Sequence, residues 1–211
     1  MIIAISGLAG SGKSTIVKLL ADRLSLPTYS VGALRGQMAI ERGMTIEQLN
    51  VLGENEAFTD TEVDDYQTKL GASGASFIID GRMSWHCIPQ ALKVLLMVDP
   101  DEGARRIFFA PKDDRADEQS YASIEELRAA LAERNASDRR RYQKYYGVDF
   151  MDPNKYDVVV DTTHLTPSQV LEKILEKTPK SLRNKAFRLL SCHYERRNQR
   201  RTNDPRSGRR P

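Results

Sequence analysis

Cysteine, histidine and tryptophan are scarce in this chain: two, three and one among 211 residues. With Cys87 and Cys192 as the only thiols, and no C-x-x-C spacing, neither a disulfide-built scaffold nor a structural zinc site is expected. Each cysteine adjoins a histidine, His86 and His193. Adjacent side chains rarely ligate one tetrahedral ion together, so both read as reduced thiols. No apolar run approaches the ~20 residues that span a bilayer, and no basic segment precedes an apolar one at the N-terminus. Neither a membrane contact nor a secretory leader is expected, which places the protein in the cytosol. No internal repeat is found.

A chain that is 40% hydrophobic and 29% charged is long enough for one compact domain with a substantial core. Its net charge of +3 hides an asymmetry. Residues 179–211 hold 11 of the 32 Lys+Arg and 2 of the 29 Asp+Glu, so this stretch is +9 and residues 1–178 are −6. The expected organisation is a domain over 1–178 and a basic C-terminal extension over 179–211.

The most informative stretch is Gly7-Leu8-Ala9-Gly10-Ser11-Gly12-Lys13-Ser14, which fits G-x-x-x-x-G-K-[ST] at every fixed position. A short apolar, β-branched run precedes it, and apolar residues at helical spacing follow over 15–24. Strand, glycine loop and helix are the context the pattern requires. Glycines let the backbone wrap closely enough for successive N–H groups to face phosphate oxygens, and the helix start adds partial positive charge. Lys13 would reach the β- and γ-phosphates, and the Ser14 hydroxyl would ligate Mg²⁺.

Apolar strands are expected at residues 1–5, 27–31, 77–81, 93–98 and 156–161. Helical patterns lie between most of them, including helices opened by capping boxes at Thr45 and Ser123 and a last one from Thr166 with Pro167 at its first position. The alternation argues an α/β fold with a parallel sheet covered on both faces. Residues 32–70 would form a helical insert, and 110–121, polar and without periodicity, a mobile loop serving as a small lid.

In such a sheet the ligand crevice lies at the carboxyl ends of the strands. Asp80-Gly81-Arg82 stands there: the carboxylate would hold a magnesium-bound water and the arginine would grip a phosphoryl oxygen. Arg134, Asp138 and Arg141, at i, i+4 and i+7, share one helix face, as either an anion clamp or a solvated ion-pair stripe. Arg105, Arg106 and Arg115 flank or occupy the expected lid, where arginines would neutralise a migrating phosphoryl group. Asn154-Lys155-Tyr156-Asp157 spells the guanine-reading N-K-x-D of GTPases, but it precedes a strand instead of following one, and no D-x-x-G occurs.

Taken together these residues resemble the P-loop nucleoside monophosphate kinases, and within them the archaeal-type cytidylate kinases. The resemblance covers about residues 1–176 and rests on residues 5–15, Ser30-x-Gly32 with a following arginine, Glu41-Arg42-Gly43-Met44, and Asp80-Gly81-Arg82 with Trp85. It continues through Ala104-x-Arg106-Ile107, Ser137-Asp138-Arg139-x-Arg141-Tyr142, Tyr146-Gly147 and Asp161-Thr162-Thr163. It implies a P-loop αβα fold with a five-stranded parallel sheet, and transfer of the ATP γ-phosphoryl group to CMP or dCMP. It further implies that Gly7, Gly10, Ser11, Gly12, Lys13, Ser14 and Thr15 bind ATP and Mg²⁺, and that Ser30, Arg35 and Arg82 hold the acceptor monophosphate. Arg134, Asp138 and Arg141 would bind the acceptor and the phosphates between the substrates, and Arg106 and Arg115 would be lid arginines. The chain departs from the family pattern at Gly36 and Gly103, where arginine is usual.

Two other readings stay open at this point. One keeps the P-loop kinase and changes the acceptor to UMP, AMP or a non-nucleotide. The other is a nucleotide-dependent RNA- or ribosome-associated protein using the basic extension, whose arginine pairs would neutralise phosphates without reading bases.

Overall fold

A computed structural model describes residues 1–110 and 121–178. Arg115, most of the expected lid, Cys192, His193 and the basic extension lie outside these residues.

Five strands form one sheet in the order β2-β3-β1-β4-β5: β1 Ile2–Gly7, β2 Thr28–Ser30, β3 Phe77–Asp80, β4 Leu92–Met97 and β5 Val158–Asp161. Every pairing is parallel, as expected from the strand and helix alternation. Strand β1 runs through the centre and all six of its residues are buried, which explains its unbroken apolar run. Helices α1 (Lys13–Leu24) and α8 (Pro167–Lys177) cover one face through Ile16, Leu20, Val170 and Ile174. On the other face the single-turn α5 (Ser84–Cys87) puts Trp85 against Ile79, Leu95 and Tyr156.

Helices α2 (Val31–Glu41), α3 (Ile46–Asn55) and α4 (Phe58–Ala72) occupy the stretch between β2 and β3 and close a small core of their own around Met38, Leu49 and Val63. The expected capping box at Thr45 is formed, and Thr166 with Gln169 makes another. At Ser123 only half of the expected box forms: Ser123 accepts from the Glu126 amide and so caps the 23-residue α7 (Ile124–Tyr146), but the Glu126 carboxylate accepts from Ala122 N; Gly147 ends α7 in the left-handed conformation. Helix α6 (Pro100–Phe108) starts from an Asp99 side chain that accepts from the Asp101 and Glu102 amides. Strand β5 begins two residues later than expected, because Pro153–Lys155 form a 3-10 turn and Asp157 accepts from the Lys93 amide at 2.9 Å. The N-K-x-D residues thus sit at the amino end of β5, opposite the crevice.

A polar seam joins α7 to α3 and α4. Glu54 accepts from Ser137 at 2.6 Å and Arg140 at 2.9 Å, Lys144 and Tyr145 donate to the carbonyls of Glu54 and Gly53, and Tyr146 donates to Asp64. Gly53 is required for this approach: a Cβ there would come within 2.7 Å of the Thr59 hydroxyl and 3.3 Å of the Arg141 Cδ.

Leu20 is fully buried between α1, the sheet and α8. Leu20→Ala is expected to lower the unfolding free energy by about 2–5 kcal/mol, read from urea denaturation, with secondary structure retained by circular dichroism.

Candidate functional site

The loop between β1 and α1 takes its shape from positive-φ glycines. Gly12 (φ 86) is the N-cap of α1, and Gly10 (φ 79) packs so tightly on α6 that a Cβ would come within 2.6 Å of the Gly103 Cα. The Gly103 departure from the family pattern therefore falls where the two backbones touch. Lys13 spends two donors on the carbonyls of Gly7 and Leu8, each at 2.8 Å. Burial, and next the Arg82 charge, pull its pKa down to about 7, while Asp80 works in the opposite direction. The Ser11 hydroxyl is buried in the loop with no hydrogen-bond partner. Ser14 and Thr15 are exposed at the start of α1. A buried unpaired hydroxyl and a lysine partly stripped of its charge suit a loop that receives an anion.

Facing the loop is a buried line of charge. Arg35 of α2 donates to Asp60 Oδ1 at 2.8 Å, to the Thr59 carbonyl at 2.8 Å and to Asn50 Oδ1 at 3.1 Å. Asp60 of α4 also pairs with Arg141 of α7, whose Nε lies 3.0 Å from Oδ2. Arg141 is 1% exposed and reaches Asp138 Oδ1 at 2.8 Å. Asp138 pairs in turn with Arg82, which follows β3, and Arg82 donates to Asn135 at 3.1 Å with its guanidinium over the Phe150 ring. Burial lowers the pKa of Arg82 to about 9 and depresses that of Arg35. Three guanidiniums face two carboxylates along this line, leaving one cation in excess.

The structure corrects the one-face reading of α7 in one respect. Asp138 does sit between two cations, but these are Arg141 and Arg82. Arg134 is exposed and forms no ion pair among the described residues, although its charge is felt at Lys13 and Arg82. It stands at the open rim of the line. Ser30 caps α2, accepting from Ala33 N at 3.3 Å, and its hydroxyl also bonds Asp80, whose carboxyl burial raises.

Arg106, expected in the lid, is instead committed inward. Nε donates to Glu102 at 2.8 Å; Nη1 reaches the Gly10 carbonyl at 3.4 Å and Thr162 Oγ1 at 3.2 Å; Nη2 reaches the carbonyls of Thr162 and Thr163 at 2.8 and 2.9 Å. All five guanidinium donors are thereby occupied, leaving none for a phosphoryl oxygen.

Nothing in the sequence singles out Asp60, Asn50 or Asn135, and Thr162 enters only as part of the Asp161-Thr162-Thr163 resemblance, without a role. Asp60 and Asp64 at i, i+4 in α4 mark one polar face, but nothing local tells that its partners lie in α2 and α7. Among the described residues no group of three or more His, Cys, Asp or Glu side chains is arranged to hold a metal by itself, and no helix is long and apolar enough to cross a membrane.

Breaking the charge line should cost far more than breaking a surface pair. Asp60→Ala is expected to destabilise the fold by about 3–5 kcal/mol in urea titrations, because it leaves the buried Arg35 without a carboxylate partner and Arg141 sharing Asp138 with Arg82. Glu62→Ala, which removes the exposed Arg42–Glu62 pair, should cost less than about 1 kcal/mol.

The sequence signature of the cytidylate kinase-like family matches residues 2–164. A cytidylate kinase of Methanothermobacter thermautotrophicus is 35% identical over 162 residues, covering 77% of this chain and 95% of that protein. An S-adenosylmethionine-dependent nucleotide dehydratase of Lacinutrix mariniflava is 35% identical over 180 residues, covering 85% of this chain, which spans only 36% of that longer protein. Among solved structures, the shikimate kinase of Bacteroides thetaiotaomicron superposes with a TM-score of 0.56 at 17% identity, covering 83% of this chain and 95% of its own, a likeness of fold alone.

Proposed function

The chain belongs to the cytidylate kinase-like family, and from that premise we propose that it is a nucleoside monophosphate kinase moving the γ-phosphoryl group of ATP to CMP or dCMP. The observation that carries the reading is the buried charge line with its surplus cation, opening beside Lys13 and Arg134. Phosphoryl transfer is catalysed mainly by positioning and by neutralising charge on the migrating group. A line of guanidiniums one carboxylate short of balance, next to a phosphate-binding loop, supplies both.

In this reading Gly7, Gly10, Ser11, Gly12, Lys13, Ser14 and Thr15 take the triphosphate. The Ser14 hydroxyl would ligate Mg²⁺ and the Asp80 carboxylate would hold a magnesium-bound water; hard oxygen donors suit an ion that keeps several waters and takes its other ligands from phosphate. Bound there, the ion would neutralise negative charge on the transferring group. Ser30, Arg35, Arg82, Arg134, Asp138 and Arg141 orient the acceptor nucleotide, with Asp60 and Asn50 fixing Arg35 and Arg141. No dedicated base is needed, because the acceptor phosphate is already an anion.

The test is ADP release from ATP and Mg²⁺ with CMP, dCMP, UMP, AMP or no acceptor, with Lys13→Ala as the blank. Strong stimulation by CMP or dCMP is expected; stimulation by another monophosphate would move the acceptor, and none at all would overturn the kinase reading. Arg134→Ala should leave the melting temperature unchanged, since Arg134 is exposed, and lower kcat by roughly 10²- to 10³-fold.

Lys13 adds a pH signature. With its pKa lowered to about 7 it is mostly neutral above that pH in the free protein, and a triphosphate beside it restores the charged form. At about pH 8.5, ATP binding should therefore take up close to one proton per site, measured by calorimetry in buffers of different ionisation enthalpy. The uptake should vanish in Lys13→Ala.

A further inference from the structure

We propose that Thr162, at the end of β5, is a positioning residue for the nucleotide-binding loop, acting together with Arg106; the proposal rests on the kinase reading above. Thr162 is 2% exposed. Its Oγ1 lies 2.9 Å from the Met97 carbonyl and 3.2 Å from the Ser11 carbonyl, and accepts from Arg106 Nη1 at 3.2 Å. The hydroxyl thus offers its one proton to two carbonyls, one on β4 and one on the loop, while a guanidinium holds its lone pair. Arg106 touches the neighbouring loop carbonyl, that of Gly10, and clasps the two carbonyls that follow β5.

The consequence follows from peptide geometry. In a trans peptide the carbonyl and the next N–H point in opposite directions. Holding the Ser11 carbonyl toward β5 turns the Gly12 N–H away from it, and holding the Gly10 carbonyl does the same for the Ser11 N–H. Two consecutive loop peptides are thereby oriented from behind, at a place where Gly10 and Gly12 both have positive φ and impose little orientation of their own. In valine a methyl takes the place of the Thr162 hydroxyl at nearly constant volume, so this substitution removes the hydroxyl's hydrogen bonds and little else.

The proposal predicts a change in ATP affinity without one in chemistry. In the full-length chain, Thr162→Val should raise KM for ATP by about five- to tenfold, the worth of one hydrogen bond, with kcat at saturating ATP and KM for CMP within about twofold of wild type. Thr162→Ser, which keeps the hydroxyl, should restore the ATP KM. Arg106→Lys, which keeps the charge but not the fork, should raise the ATP KM as well. An unchanged ATP KM in Thr162→Val overturns the proposal. So does an Arg106→Lys enzyme whose kcat falls while its ATP KM stays put, which would place Arg106 on the transferring group. Should Thr162→Val not fold, the Arg106→Lys pair of constants decides alone. If wild type phosphorylates no monophosphate, the kinase reading falls by itself, and calorimetric titration of wild type and Thr162→Val with MgATP still decides the loop proposal: equal affinities overturn it.

Discussion

The part of this protein that faces the glycine loop depends on one line of alternating charge: Arg35, Asp60, Arg141, Asp138, Arg82. Taking each of these ions out of water costs several kcal/mol, recovered only if every neighbour stands at hydrogen-bonding distance. Helices α2, α4 and α7 and the turn after β3 each contribute at least one member, so they can be placed only together. Four segments of the chain are made mutually dependent by electrostatics more than by apolar contact, since the small core of Met38, Leu49 and Val63 is modest beside the one under the sheet.

The two halves of the cleft are built on opposite principles. Along the charge line, charges are satisfied by one another and fixed in place, with little reorganisation left to do. On the loop side, charge is weakened: burial and the Arg82 charge lower the Lys13 pKa to about 7, and the framework behind the loop is made of carbonyls, a threonine hydroxyl and an arginine whose donors all point inward. Arg82 belongs to both halves, pairing with Asp138 on one side and acting electrostatically on Lys13 on the other.

Local signals made most of the fold legible. Strands β1, β3 and β4 are apolar runs that only a buried parallel sheet accommodates, and the caps at Thr45, Ser123 and Thr166 set helix starts that the structure reproduces. The glycine loop was legible because its chemistry is carried by contiguous residues. What stayed hidden was chemistry assembled across the chain. Asp60 meets Arg141 81 residues away, and Thr162 meets Ser11 151 residues away. Spacing put Arg134 and Arg141 on one helical face but had no means of telling that the first is solvated and the second buried; that is decided by α3 and α4 lying against the last turns of α7. The single turn α5 and the 3-10 turn before β5 are too short to leave a periodic trace.

The seam along α7 also fixes its helical phase. Ser137, Arg140, Arg141, Lys144, Tyr145 and Tyr146 all find partners on α3 or α4, and each residue of a helix advances about 100° around its axis. Adding or deleting one residue upstream of Ser137 within the helix would either swing all six partners out of alignment or force a bulge to absorb the difference. Four inserted residues would restore the angle but displace the face by about 6 Å along the axis. Changes of length in this region are therefore confined to the ends, before Ser123 or after Gly147, and α7 acts as a fixed ruler between the two halves of the cleft.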